Sequence, residues 1–416
     1  MNVQGYMVTI RWASYNDEYR LMKALFDINM AKNLDQFKAA MDPLTGWDHV
    51  LQNIVYADQA GNIGFIAAGK IPLRGNTNSY GILPLNGTNS TNNWQGWIPL
   101  AELPQEWNPS RGYVCTANSF TTSIGASYPH YLSWKFIDPN RQNRIEEVLN
   151  SKNNHDMASM NQLQGDSKEW WANYIVPVLL SALNNVDSGL PKQAKDLLES
   201  WDQHYKKSSV GATIFWETMT ILREKIVLDE MSLLPFGQQL VQANFGFLGL
   251  FWLSNILVNG TSGFSHNWFD NINTPAVETV SELIQAAFIE AITNLENKYS
   301  NKIDGWAWEN YFKITFVHPL AASVPQLSFL SNSFSSDGGH CVRALFPTGG
   351  ASLRFIKIFG EDGGVSLIVP PGASGNYFSK YYNNQMDHYI NNEIYIWQSN
   401  PRDVKRELTQ IVAFNP

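Results

Sequence analysis

Asn108-Pro-Ser-Arg-Gly112-Tyr-Val-Cys115-Thr-Ala-Asn118-Ser119 is the stretch on which the plan of this chain turns. Asn-Pro with Gly112 close behind is a turn signal, because proline presets φ and glycine accepts a positive one. Tyr113-Val-Cys-Thr-Ala117 is then a short apolar run that predicts a strand. Asn118 ends it, a polar residue that tolerates the left-handed conformation. Upstream, Asn53-Ile-Val-Tyr-Ala57 and Ile63-Gly-Phe-Ile-Ala67 flank Asp58-Gln-Ala-Gly61-Asn62, which predicts a hairpin. Between hairpin and turn, residues 71–94 are rich in Gly, Asn and Thr. They read as an ordered long loop, punctuated by Trp94 and Trp97, which want burial.

Further out, Met7-Val-Thr-Ile-Arg-Trp12 alternates and predicts a strand. Asn16 or Asp17 caps a helical region over 18–41, broken near Lys32-Asn33. Downstream, a helix is expected over 139–149, and residues 156–300 are mostly helical. Leu283/Ile284, Ala287/Phe288, Ala291/Ile292 and Leu295 form one apolar stripe at helical spacing, with Thr274-Pro275 as the expected start. Trp170-Trp171, Trp306 and Trp308 read as core. The block Phe245–Val258 is too short to span a bilayer and reads as a buried helix. The tail returns to strands at Cys341–Phe346, Ala351–Ile358 and Val365–Val369. Pro347-Thr-Gly-Gly350 and Gly360-Glu-Asp-Gly-Gly364 separate them as turns, and a helix is expected near 381–390. Strands, then helices, then strands indicate α+β. We divide the chain into a first sandwich segment (1–137), a mainly helical lobe (138–335) and returning strands with a final helix (336–416).

The 416 residues carry a formal net charge of −8 and only 16% charged residues, with 44% hydrophobic and 15 Trp. Nothing here attracts nucleic acid electrostatically. The low charge and Asn-, Ser- and Thr-rich surface suit work outside a neutral cytosol. Cys115 and Cys341 lie in apolar runs and read as buried thiols, a bridge being unproven. No secretory signal opens the sequence. There is no HExxH, no paired CxxC and no P-loop. Gly372-Ala-Ser374-Gly375 misses the nucleophile-elbow spacing by one residue. His340-Cys341 reads as a buried strand start and Glu361-Asp362-Gly363-Gly364 as a tight turn. Local chemistry alone stops at a soluble α+β protein.

An ordered set of short motifs goes further. It runs Asn53-Ile-Val-Tyr-Ala-Asp58, Gly61-Asn-Ile-Gly64, Gly69-Lys-Ile-Pro72 with Arg74, then Pro84 and Gly87. Trp94-Gln-Gly96-Trp-Ile-Pro99, Leu103-Pro104, Asn108-Pro109, Gly112, Thr116-Ala-Asn118, Tyr128-Pro129, Arg141 and Arg144-Ile145 follow. In the tail come Gly350-Ala-Ser352-Leu-Arg354, Pro371-Gly-Ala-Ser-Gly375 and Tyr382-Asn-Asn-Gln385. In this order and spacing the chain resembles the penicillin acylase (penicillin amidase) family of N-terminal-nucleophile hydrolases, over nearly its whole length and least clearly in the helical middle.

The resemblance implies an αββα sandwich, here incomplete, with a helical lobe. It implies hydrolysis of a non-peptide amide. The first residue of the family's β subunit, a serine, attacks the carbonyl with its own α-amine as base. Asn118 matches the family's oxyanion-hole asparagine, and Arg141 matches an arginine that supports the site. The family's nucleophile lies upstream of the Asn53 motif, and no residue here matches it. Met1 is followed by Asn2, so its removal exposes no Ser, Thr or Cys. No cofactor is expected, the family's calcium site lying mostly in parts without a counterpart here. The substrate is an acyl-amide small molecule. We expect the chain alone to be inactive, and either a separate chain bearing the nucleophile or self-association along an open sheet edge. The alternatives are a non-catalytic remnant or binding protein on the same scaffold, and a longer natural protein in which Met1 is internal. The last suits export and the sequons at Asn86-Gly-Thr88 and Asn259-Gly-Thr261; a true start at Met1 suits the cytoplasm.

Overall fold

Two separate apolar cores organise the molecule. The computed structural model describes residues 2–3, 6–15, 20–48, 51–75, 84–120, 128–133, 136–233, 253–260, 267–360, 364–397 and 404–406. The chain divides into two units, Met1–Pro139 and Asn140–Pro416. Helix and strand are mixed, at 41% and 14%. The α+β expectation therefore holds.

In the first unit, β1 (Asn2–Val3) and β2 (Tyr6–Met7) form a short ribbon. The helices α1 (Leu21–Met30) and α2 (Leu34–Ala40) follow. The break falls where it was expected. The Asn33 side chain accepts the Gln36 amide at 3.0 Å and starts α2 afresh. A hairpin joins β3 (Gln52–Ala57) to β4 (Ile63–Ala68), pairing Ala57 with Ile63. Next come β5 (Pro72–Arg74) and β6 (Trp94–Trp97), which pair with each other. Finally β7 (Gln105–Trp107) joins β4, completing the order β3-β4-β7. The central strand β4 is buried over most of its length. On the edge strand β3, Ile54 and Tyr56 turn partly inward and Val55 outward, at 55% exposure. Phe37 of α2 packs on this sheet, its ring 4.6 Å from Tyr56 and 6.3 Å from Trp107. Gly64 is required there: a Cβ would lie 2.0 Å from the Trp107 ring.

The second unit begins with α3 (Asn140–Asn150), α4 (Met157–Gln164), α5 (Ala172–Ala182), α6 (Gly189–Glu199) and α7 (Val210–Met231). A helical run over 253–259 precedes α8 (Val280–Tyr299). The stripe from Leu283 to Leu295 is buried as a set and packs with Leu179, Leu198, Ile214 and Leu222 in one core. Trp306 and Trp308 are fully buried, as expected of core residues; Trp170 and Trp171 are half-buried. The short helices α9 (Trp308–Tyr311) and α10 (Pro319–Ser323) bracket β8 (Ile314–Phe316), which pairs with β9 (Asn332–Phe334). In the tail, β10 (Leu345–Phe346) pairs with β11 (Gly349–Gly350). The order β12 (Arg354–Lys357), β13 (Val365–Ile368), β14 (Ile396–Trp397) forms an antiparallel sheet, with α11 (Met386–Ile390) inserted before its last strand.

Several expectations need correction. The alternating run over 7–12 is a strand only to Met7, and Ile10 and Trp12 are 80% and 63% exposed. Residues 113–117 form no ladder among the described residues. The expected loop 71–94 contains β5 and ends on β6. Cys341–Phe346 is a strand only at its last two residues, and the glycines expected as turn are β11. Helix α8 starts after Thr279, not at Thr274-Pro275. Helix α11 starts at Met386, not near 381. No disulfide joins Cys115, half-buried, to Cys341, which is buried and whose thiol burial pushes up in pKa. Asn16, Asp17, most of the Phe245–Val258 block and Glu361-Asp362-Gly363 lie outside the described residues. No helix among the described residues is long and apolar enough to cross a membrane.

Candidate oxyanion site

Asn108 begins the segment by leaving β7 in the left-handed region, with φ at +48°. Three hydrogen bonds hold it to the hairpin. Its amide donates to the Ile63 carbonyl at 2.9 Å, its Oδ1 accepts the Ile63 amide at 2.9 Å, and its Nδ2 donates to Asn62 Oδ1 at 3.1 Å. The turn then closes, with Gly112 at φ +77° donating to the Pro109 carbonyl at 3.0 Å. Arg111 folds back on Glu106 through both nitrogens of its fork, Nη1 lying 2.6 Å from Oε1. The Arg111 guanidinium sits 5.2 Å from the Tyr113 ring centre.

Residues 113–116 carry no regular secondary structure. Asn53 Nδ2 on β3 donates to Thr116 Oγ1 at 2.7 Å and ties the end of this run to the sheet edge. Ala117 is buried. Asn118 then turns the chain with φ +66°, and its carbonyl accepts the Ile137 amide at 2.9 Å. The Asn118 side chain is exposed while Ser119 is buried. The backbone is thus pinned on both sides of a solvent-facing carboxamide. Its Nδ2 carries two N–H donors, which suits an anionic oxygen. The nearby Tyr128-Pro129 pair is anchored too. Tyr128 donates to the Glu102 carbonyl at 2.7 Å, and burial, with Glu102 adding, pushes its pKa up to about 12.

Arg141 is the second residue of α3 and half-buried. It belongs to the second unit and Asn118 to the first. One turn on, Arg144 pairs with Asp166 at 2.7 Å and Glu147 at 3.0 Å. Among the described residues no three His, Cys, Asp or Glu side chains converge where they could hold a metal ion.

A polar cluster in the second unit carries no local sequence signal. Glu169 Oε2 lies 3.0 Å from His340 Nδ1 and accepts from Tyr205 OH at 3.1 Å. Asn140 Nδ2 donates to the His340 carbonyl, and Asn140 Oδ1 accepts the Trp170 amide at 2.9 Å. His340 is indeed buried, and its ring nitrogen meets Glu169 in a hydrogen bond that bridges distant segments. The adjoining cavity, lined by Glu169, Ser254, His340, Phe215 and Met219, has room for about 10 Å³. That is the size of one water, too small for an acyl-amide to enter.

A model of the family described as penicillin amidase matches residues 1–406. The acyl-homoserine lactone acylase QuiP of Pseudomonas syringae pv. tomato is 24% identical over 417 residues, covering 92% of this chain and 48% of that protein. The penicillin acylase 2 proenzyme of Pseudomonas sp. (strain SE83) is 26% identical over 368 residues, covering 83% and 43%. A solved structure of a thermostable penicillin G acylase from Alcaligenes faecalis superposes with a TM-score of 0.69 at 18% identity, over 95% of this chain and 73% of that one. At that identity the likeness establishes the fold. The chain spans about half the length of the curated relatives it matches. With a family match running from residue 1 to residue 406 and a shared fold, this chain belongs to the penicillin amidase family.

Proposed function

We propose that this chain contributes the oxyanion-binding part of an acylase that hydrolyses small acyl-amides. The observation that carries this is Asn118, the residue matching the family's oxyanion asparagine, held at φ +66° with its side chain exposed. In this reading a serine hydroxyl attacks the amide carbonyl and gives its proton to that serine's own α-amine. Negative charge gathers on the carbonyl oxygen, and Asn118 Nδ2–H donates to it. The C–N bond then breaks, the amine leaves with the proton, and water releases the acyl group. Arg141 supports the site. The names of the relatives favour an acyl-homoserine lactone or a penicillin-like amide as the substrate class.

The attacking serine comes from polypeptide beyond these 416 residues, within one precursor or as a separate chain. The half-length match supports this. So does β3, a sheet edge that pairs only with β4 among the described residues and leaves Val55 outward. Self-association along that edge is the competing use.

The test compares this chain alone with the chain assembled with a family member's remaining half, on a panel of acyl-amides. We expect turnover only in the assembly. Asn118→Ala should lower kcat/KM there by roughly 10²–10³ with unchanged circular dichroism. Turnover by the single chain would overturn the divided site. An Asn118→Ala assembly as active as the parent would overturn the oxyanion role and favour a scaffold without catalysis.

A further inference from the structure

Asn86-Gly87-Thr88 in the first unit and Asn259-Gly260-Thr261 in the second are the same tripeptide. Asparagine before glycine is chemically labile. With no Cβ on the following residue, the glycine nitrogen reaches the asparagine side-chain carbonyl carbon unhindered. By sequence the two sites are equal. The fold separates them.

Asn86 is exposed, in the connection that leads from β5 to β6. Its Oδ1 accepts both the Thr88 amide, at 3.0 Å, and the Thr88 hydroxyl, at 2.8 Å. The bond from the amide closes a short ring that contains Asn86 Cγ and the Gly87 nitrogen, so the two atoms that must meet are held near each other. The hydroxyl donates to the oxygen on which negative charge gathers when Cγ is attacked. Neither the Gly87 amide nor Asn86 Nδ2 donates to an acceptor among the described residues, so nucleophile and leaving group are both free to move.

Asn259 is placed differently. It is the last residue of the helical run 253–259, and a helical ψ of about −42° turns the following nitrogen away from the side chain. Its Nδ2 also donates one turn back, to Asn255 Oδ1 at 3.4 Å.

We propose that Asn86 is a spontaneous deamidation site, and that the turn closed by Thr88 makes it react ahead of Asn259 in the folded protein. Base removes the Gly87 amide proton, the nitrogen bonds to Asn86 Cγ, and the Cγ–Nδ2 bond breaks. Nδ2 takes a proton from water and leaves as ammonia, and a succinimide remains. Water then opens either C–N bond of that ring, giving aspartate or isoaspartate. Isoaspartate carries the main chain through Cβ and Cγ and turns the old carbonyl into a side-chain carboxylate. In the parent that carbonyl accepts the Asn89 amide at 3.2 Å and Asn92 Nδ2 at 2.9 Å. Those bonds shape the turn before Trp94, the first residue of β6, so conversion loosens the approach to that strand and makes the net charge of −8 more negative. The proposal stands independently of the acylase reading.

The test incubates the full chain at mildly alkaline pH and follows its peptides by mass and by chromatographic separation of aspartate from isoaspartate. Asn86 should convert at least about tenfold faster than Asn259, a difference of about 1.4 kcal/mol in barrier. In denaturant the two identical tripeptides should react at matching rates, which removes sequence as the cause. A Cβ on Gly87 would meet nothing within 4 Å, so Gly87→Ala keeps the fold and should slow Asn86 by about tenfold or more. Thr88→Val should slow it severalfold, and Thr88→Ser should keep the parent rate. None of these variants should change Asn259. Equal native rates at the two sites, an Asn86 that stays intact while the unfolded chain converts, or a Thr88→Val that reacts as fast as the parent would each overturn the proposal.

Discussion

Asn118 holds a backbone conformation that most side chains avoid, and asparagine is among the few that accept it without a large steric cost. The residue beside it has the opposite environment. Ser119 is buried, and its hydroxyl has no partner among the described residues. Thr213 and Thr218 on α7 repeat that condition in the second unit, each 0% exposed with Oγ1 unpartnered among the described residues. A buried hydroxyl without a hydrogen bond loses solvation and regains nothing. Valine keeps the shape of threonine and removes that cost, and the two differ little in helix propensity. Thr213→Val should therefore raise the unfolding free energy, by about 1 kcal/mol, read as a higher urea midpoint at unchanged slope. A lowered midpoint would mean that the hydroxyl makes a compensating bond in solution. At this scale the sequence was legible where a residue's role is local. Asn108-Pro with Gly112 is a turn, and Asn118 sits in the conformation its type allows. Glu169 and His340 were not legible as partners, because only the folded chain brings residues so far apart together.

Helix α8 shows how an element's interior can be read more easily than its start. Its stripe follows from spacing alone. Its cap depends on which of two threonines meets the first free amides. Thr279 does, accepting the Glu282 amide at 3.3 Å while Glu282 Oε2 accepts the Thr279 amide at 2.8 Å, a reciprocal box. Thr274 instead donates to Glu278 Oε1 at 2.6 Å within the preceding loop. Thr279→Ala should cost about 1 kcal/mol of stability, and Thr274→Ala clearly less. Equal losses from the two, in matched denaturant titrations, would overturn the assignment. Strands were harder to read for a related reason. Tyr113–Ala117 has a strand's composition, but a ladder needs a neighbouring strand, and among the described residues no strand pairs with it. Conversely, β5 and β6 pair across a long polar connection, and their own few residues carry no periodicity that announces it. The β3–β4 hairpin was legible because its turn and both strands are contiguous.

Across the whole molecule five tyrosines are held above their ordinary pKa, which gives stability a distinct alkaline limb. Burial, reinforced by Asp58, pushes the Tyr56 hydroxyl up to about 12, and burial with Glu102 does the same for Tyr128. In the second unit Tyr311 is raised further still by burial and by Glu217, to which it donates at 2.5 Å. Burial also raises Tyr382 and Tyr389. In the unfolded chain all of these ionise near 10, so above that pH the native state holds more protons than the unfolded one. The stability linked to these hydroxyls is therefore fully present below about pH 10 and is lost as pH rises through their raised native values, about 12 for Tyr56 and Tyr128. Guanidinium midpoints measured at about pH 9, 10 and 11 should fall steadily across the last step. Tyr311→Phe should lower the midpoint at pH 9 by removing the bond to Glu217, yet flatten the fall above pH 10, since one proton difference has gone. A parent midpoint that holds constant to about pH 11, or a variant that falls as steeply as the parent, would show that these hydroxyls ionise alike in both states.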